Sequence, residues 1–335
     1  MKASKDDPIY TTYLISGGVK YHLSPAVAEL ELSDQKNELA KRATVTLVNT
    51  TVSGRWLSSL VKVRDRIFIY ADDGERNEEV FRGWVWTRSY QSALKDRELT
   101  LKCYDNLVYF QESEESAYFS PGKATKDVLS TLCAKWGVKL DYTYASITHA
   151  KLVLRGKLSD IFTEDILDPV QDRTGKKYVI LSEQDAMVVK EAGTNSTVYA
   201  IKAGENAIST GTKCTMDDLV TKVVILGKAD DNERRPVEAT VSGDTGAYGT
   251  LQKLINRSTN TTLADAKKEA QSLLAENGSP TWEYDVKAVD IPWIRKGDQV
   301  LINAGDIANA TLIVAGVERS ISNKSKEMTL TLERP

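Results

Sequence analysis

The feature that most constrains this chain is an internal repeat. Arg64-Asp65-Arg66-Ile67-Phe68-Ile69 leads to Gly83-Trp84-Val85-Trp86-Thr87-Arg88-Ser89 and then to Glu98-Leu99-Thr100-Leu101. Near the C-terminus, Gly297-Asp298-Gln299-Val300-Leu301-Ile302 leads to Gly316-Val317-Glu318-Arg319-Ser320 and then to Met328-Thr329-Leu330-Thr331-Leu332. The aspartate-to-glycine spacing is the same in both copies, 65 to 83 and 298 to 316. Such self-similarity means that one supersecondary unit is used twice. In each unit an Arg/Gly-Asp turn feeds a strand, a glycine admits a close approach or bulge, and an amphipathic strand closes the sheet. Asp65 and Asp298 are therefore expected to order the turns, and Gly83 and Gly316 to permit the bends. Two similar barrels per subunit have a symmetry consequence: a ring of three subunits presents six, so it can dock on a sixfold object.

The rest of the chain fits around these units. Between Tyr13 and Cys103 apolar and polar residues alternate as in half-buried strands, with Asp72-Asp73-Gly74 as a turn. After Ser120-Pro121-Gly122, Val128, Leu129, Leu132, Cys133 and Trp136 recur at helical spacing up to Gly137, and Val138 to Tyr142 reads as a strand. A second helix is expected from Ser159 as N-cap, shortened or kinked by Pro169 and ended by Gly175. A hairpin follows, Tyr178–Leu181 with Met187–Val189. Later, Thr262 caps a helix that runs to Glu276 and stops at Asn277-Gly278. The expected class is α+β, mainly β: two similar antiparallel β-barrel domains with an inserted small α/β wing module. The expected limits are 1–112 for the first barrel, 113–192 for the wing, and 193–335 for the second barrel with its long helix at 262–277.

Composition narrows the function classes. Among 335 residues, 44 basic and 47 acidic side chains leave a net charge of −3, which gives no pull toward nucleic acid or a membrane surface. No apolar run approaches the roughly 20 residues of a membrane span. The start, Met1 to Pro8, lacks the apolar segment of a signal peptide and reads as a short disordered lead-in. Cys103, Cys133 and Cys214 are far apart and odd in number, which reads as buried free thiols in a protein assembled in a reducing cytoplasm.

Candidate chemistry is sparse. The two histidines, His22 and His149, have no second His, Cys or carboxylate at ligand spacing. Glu112, Glu114 and Glu115 read as a solvated run in a linker, and Glu164-Asp165 as a surface pair. Gly243-Asp244-Thr245-Gly246-Ala247-Tyr248-Gly249 has the glycines of a mobile or contact loop and no Walker lysine. Trp84 and Trp86, two apart on a strand, are expected on one side with Trp56 in the same barrel, as core or interface aromatics. Trp293 beside Pro292 reads as a loop anchor. Arg234-Arg235 and Lys267-Lys268 are too few for a nucleic-acid groove. No catalytic residue, cofactor or metal is expected.

Several segments together resemble the tail hub proteins of phage-like particles, the XkdQ-type family of PBSX-like contractile-tail prophages. They are Asn37 to Val45, Phe81-Arg82-Gly83-Trp84-Val85, Leu99 to Tyr109, and Gly297-Asp298-Gln299-Val300. The resemblance implies a homotrimer that meets a hexameric tail tube protein at one end and spike and baseplate proteins at the other, located in the particle's tail. Enzymes of cell-wall attack also travel in tails. The competing expectation is a particle-borne cell-wall hydrolase or carbohydrate-binding module using paired carboxylates.

Overall fold

In the strand Arg42–Val48, Ala43, Val45 and Leu47 are buried while Arg42, Thr44 and Thr46 remain partly exposed. That period of two marks a sheet with one dry and one wet face, and it holds for most of the chain. The computed structural model describes residues 7–93, 97–144, 146–229, 233–257 and 262–334. All but the last two residues of the expected lead-in lie outside the described residues.

The first strands are β1 (Ile9–Ser16), β2 (Val19–His22), β3 (Val27–Asp34), β4 (Arg42–Val48), the small pair β5 (Thr51–Val52) and β6 (Arg55–Trp56), β7 (Arg66–Asp72), β8 (Asn77–Ser92) and β9 (Arg97–Tyr104). Next come β10 (Glu114–Phe119), β11 (Leu140–Tyr142), β12 (Leu152–Lys157), β13 (Tyr178–Glu183) and β14 (Ala186–Glu191). The remainder holds β15 (Tyr199–Lys202), β16 (Ala207–Thr215), β17 (Lys222–Leu226), β18 (Val237–Ser242), β19 (Gln252–Asn256), β20 (Thr281–Val289), β21 (Gln299–Ala304), β22 (Ile307–Ser322) and β23 (Lys326–Glu333).

One mainly antiparallel sheet runs through both copies of the repeat, in the order β16-β20-β23-β22-β3-β4-β9-β8-β7-β1-β2, with β21 on β22 and β15 parallel to β21. The β3–β22 pair is the joint: Val317 faces Asp34, and Ser322 faces Glu29. Two apolar cores lie along the sheet. One gathers Leu14, Val45, Ile67, Val85, Leu101 and Cys103, the other Ile201, Val286, Val300, Val314 and Leu330.

The wing has its own core, with Val128, Leu132, Phe162, Ile166, Ile180 and Val189, and it extends back to Leu39, Leu107 and Phe110. Its first helix, Thr125–Lys135, ends before Gly137 at φ 68, a left-handed turn that glycine adopts without strain. The strand expected from Val138 begins at Leu140 and pairs in parallel with β14. The second helix departs from expectation. It starts at Leu158, with Lys157 rather than Ser159 at the N-cap, and passes through a π-helical stretch, Ile161–Leu167, into Asp168–Thr174. Pro169 does not shorten it. It sits in the first turn of the last α segment, where a missing N–H costs little, and the irregular backbone falls just before it.

The described residues form two compact units. The larger runs through Gly211 and resumes at Tyr284; the smaller is Thr212–Glu283. In the smaller unit β17 pairs antiparallel with β18 and parallel with β19. The helix Leu263–Asn277, capped by the Thr262 hydroxyl on the Asp265 amide, packs Ala266 and Ala270 on Val220, Val223 and Ile225. Residues 193–335 thus supply two separate cores, because the long helix buries its stripe on β17.

Candidate functional site

The two repeat turns have matching backbone geometry. Asp65 Oδ2 accepts from the Lys62 amide at 2.8 Å, and Asp298 Oδ2 accepts from the Arg295 amide at 2.9 Å, three residues back in each case. Just before each aspartate the chain is left-handed, at Arg64 (φ 69) and Gly297 (φ 83). After it, Val85 N donates to Asp65 O at 2.9 Å, and Val314 N donates to Asp298 O at 2.8 Å.

That last pair sets the true register of the repeat. Val85 corresponds to Val314, and both precede a β-bulge, at Val85/Thr87 on β8 and Val314/Gly316 on β22. Gly316 therefore occupies the place of Thr87, and Gly83 that of Leu312. The shared aspartate-to-glycine spacing does not reflect structural equivalence, because the β7–β8 hairpin is longer than the β21–β22 hairpin. The glycines also do different work. A Cβ on Gly83 would lie 2.3 Å from Tyr104 O and 2.7 Å from Phe81 Cζ, so the backbones touch there. On Gly316 it would meet Gln35 Oε1 at 3.0 Å and Asp34 O at 3.4 Å, a looser fit at the β3–β22 joint.

The bulges have a common effect. Before each one, Gly83 and Val85, or Leu312 and Val314, point inward; after it the phase flips. Thr87, Ser89 and Gln91 thereby turn to the wet face of β8, and Glu318 and Ser320 to that of β22. Trp84 lies under the Arg66 guanidinium (4.2 Å), whereas Trp86, the extra residue, is exposed and packs edge-on against Tyr104 and Tyr109. Tyr104 is the cross-strand partner of Trp84, so both tryptophans border it.

Across the joint the wet face is continuous. Lys102 and Thr100 on β9 stand beside Thr44 and Thr46 on β4, then Glu31 and Glu29 on β3. Ser320 and Ser322 on β22, Thr329 and Glu327 on β23, and Lys287 on β20 follow. These are short hydroxyl and charged side chains. The carboxylates Glu29, Glu31, Glu318 and Glu327 outnumber the cations Arg42, Lys102 and Lys287 by one on this face, and Lys287 is paired with Glu327 at 2.6 Å.

Beneath the joint, on the dry side, lies a seam of buried charge. Arg319 points inward between Val317, which belongs to one core, and Ile321, which belongs to the other. Its Nε donates to Asp290 Oδ1 at 2.9 Å, and its Nη2 donates to the carbonyls of Ile291, Pro292 and Ile294. Tyr10 OH donates to the other Asp290 oxygen. Beside this, Lys296 pairs with Asp34 at 2.8 Å and donates to the Glu38 carbonyl at 3.0 Å. Asp105 accepts from the amides of Lys41 and Leu107, and burial pushes its carboxyl up to about 7. Tyr10 with Asp290, and Lys296 with Asp34 and Glu38, tie the first half of the sheet to the second, while Arg319 holds the 290–294 loop and Asp105 the ends of β4 and β9. The sequence reading missed the seam. One signal was present, the basic Arg319 at an inward position of an alternating strand; Asp290 and Asp34 carry no local mark.

The remaining candidates disperse. His22 is exposed and bonds Ser24 Oγ at 2.9 Å; His149 is buried with its Nε2 2.9 Å from Thr125 Oγ1. Glu115 is not part of a solvated linker: it lies on β10, buried, 2.6 Å from Lys135 Nζ, because the chain becomes a strand at Glu114. Cys103 and Cys133 are buried, but Cys214 is exposed, against the expectation for it. The loop at 243–249 contains a short helix, Thr245–Tyr248, capped by Asp244. Glu164 and Asp165 are exposed, Trp56 lies under Arg97, and Trp293 Nε1 donates to Asp73 at 2.6 Å. Among the described residues no group of three His, Cys, Asp or Glu side chains could hold a metal ion, and no helix is long and apolar enough to cross a membrane.

The comparisons agree with this architecture. The family described as YQBQ-like matches residues 19–333. The phage-like element PBSX protein XkdQ of Bacillus subtilis (strain 168) is 24% identical over 255 residues, 73% of this chain and 76% of that protein. The 43 kDa tail protein of prophage MuSo2 from Shewanella oneidensis has a similar fold, with a TM-score of 0.71 at 12% identity over 98% of this chain and 99% of that one. A tail protein from Neisseria meningitidis MC58 superposes with a TM-score of 0.68 at 14% identity, covering 97% and 96%.

Proposed function

Because this chain belongs to the YQBQ-like family, we propose that it is the structural hub of a phage or phage-like contractile tail, a ring-forming adaptor that joins the tail tube to the baseplate and spike. The observation that carries the proposal is the joined repeat: two bulged, similarly turned strand sets on one sheet, sharing a continuous polar face. In a homotrimer, six such half-sheets surround the axis, and the wet face lines the bore. A wall of short hydroxyls and surplus carboxylates offers no apolar foothold and repels a polyanion, so material passes without sticking. The buried seam keeps the two halves at a fixed angle, which is what a ring wall needs. On this reading the work is geometric and no residue turns over a substrate. The chain is made in the bacterial cytoplasm and joins the tail there, and 1–112, 113–192 and 193–335 serve as tube-like, wing and second tube-like parts.

The test uses assembled particles carrying Thr329→Cys in a Cys214→Ser background. A small maleimide entering the bore should label the new thiol at this position, and a maleimide on a bulky polymer should not. Equal labelling by both reagents places the face outside and overturns the proposal.

A further inference from the structure

The hairpins β8–β9 and β22–β23 match residue for residue. Trp84 faces Tyr104 as Ile313 faces Glu333, and Ser92 faces Arg97 as Ile321 faces Lys326. They differ in what flanks them. The second half of β22, Val317 to Ile321, has β23 on one side and β3 on the other. The matching half of β8, Arg88 to Ser92, has β9 on one side only, because β7 stops pairing at Trp84. Among the described residues no other strand lies on that edge.

The complementary edge stands at the end of the same sheet. β4 and β20 match, since Thr44 faces Lys102 as Asp285 faces Thr331. β3 flanks β4 and β16 flanks β20, so β16 is the counterpart of β3. β3 is paired on both sides, whereas β16 ends the sheet. Glu31 faces Thr44, and a Cβ on Gly211 would lie 3.9 Å from Asp285 Cβ, so Gly211 stands in the place of Glu31.

We propose that the second half of β8 in one copy of the chain pairs antiparallel with β16 of the next, repeating between copies the β3–β22 joint made within one. The inference rests on the ring reading above and names the interface that closes the ring. Two different, complementary edges on one chain make a head-to-tail contact, and such contacts close into rings. Each edge offers a row of free main-chain donors and acceptors, which a second strand satisfies. The side chains on both edges are uncovered: Tyr90 is 41% exposed and Ile208 48%, while Arg319 and Leu32 at the finished joint are 3% and 1% exposed. The register follows from the joint. Ser320 faces Glu31 there, so Gln91 of one copy faces Gly211 of the next. Both positions lie on the wet face, which thereby continues from copy to copy.

The experiment uses assembled particles whose chain carries Gln91→Cys and Gly211→Cys in the Cys214→Ser background, treated with a short bis-maleimide. Gly211 is exposed and a Cβ there meets only ordinary contacts, so the substitution leaves the strand in place. A denaturing gel should show one, two and three linked chains and nothing longer. Either single variant should stay at one chain. Glu31→Cys with Ser320→Cys should lose both thiols within one chain, which fixes the reach of the reagent across a finished joint. A second pair, Ala93→Cys with Ser209→Cys, should give the same ladder as the first. No linkage in either pair, linkage by a single variant, or a ladder beyond three overturns the proposal. Particles that give the three-step ladder but hold the chain away from the junction of tube and baseplate contradict the hub reading and leave this interface standing.

Discussion

The Arg319 guanidinium and the Asp290 carboxylate meet at 2.9 Å beneath the β3–β22 joint, both almost wholly buried, at the boundary of two apolar cores. A pair in such a place is costly to break and less costly to replace. Removing one partner strands a charge in low dielectric, at about 3–5 kcal/mol, whereas an apolar or neutral pair of similar volume is close to neutral. Arg319→Met should lower the urea unfolding free energy by about that range. Adding Asp290→Asn should recover part of the loss. A single variant as stable as the parent would remove the seam from the account.

The two glycines rank differently once their surroundings are known. Gly83→Ala places a methyl into the Tyr104 carbonyl and should cost several kcal/mol, on the order of 3 or more, because backbone on both sides must move. Gly316→Ala meets the tip of Gln35, which can swing away, and should cost about 1 kcal/mol or less. Chemical unfolding of the two variants checks the order.

At the turn before each repeat strand the left-handed residue is Arg64 in one copy and Gly297 in the other. Arg64→Gly should stabilise slightly or leave stability unchanged, since relief of about 1 kcal/mol of strain is offset by a more flexible unfolded chain and a lost contact with Trp84. Gly297→Ala should destabilise clearly, as its Cβ would lie 2.3 Å from Val179 Cγ2. Thermal unfolding of the pair distinguishes the two turns.

Burial, and secondarily Arg173, holds the His149 imidazole below its ordinary range. The folded state then resists a proton that the unfolded chain accepts. This contribution is present in full above the unfolded value near 6.5 and is lost as pH falls below it toward the folded value. A plot of Tm against pH should fall on acidification from about pH 6.5, and His149→Gln should flatten that part of the curve.

The thiols give a simpler check. Burial pushes the Cys133 thiol up to about 12 and Cys103 higher still, while Cys214 is exposed. Iodoacetamide should modify Cys214 alone in the native chain and all three after unfolding, read by intact mass.

Much of this fold was legible because it follows local rules. Alternation gave the strands around Val45 and Leu101, and Thr262 and Gly175 marked helix ends. The turn aspartates could be read because an Asp that bonds an amide three residues back is a short-range device. What stayed hidden depends on distant pairing. A bulge is invisible until the partner strand is known, so equal spacing pairs Gly316 with Gly83 although the register sets Gly316 in the place of Thr87. Glu115 looked solvated because Lys135 lies twenty residues away in sequence. The wet face emerges only when seven strands are set side by side.

The central claim is that this chain forms the ring between tube and baseplate. Antibody labelling of purified particles, imaged by negative stain with this chain as antigen, tests it most directly. The account predicts label at that junction, at about three copies per particle as a threefold ring requires. Label along the tube, on the fibres, or absent from intact and opened particles alike would contradict it.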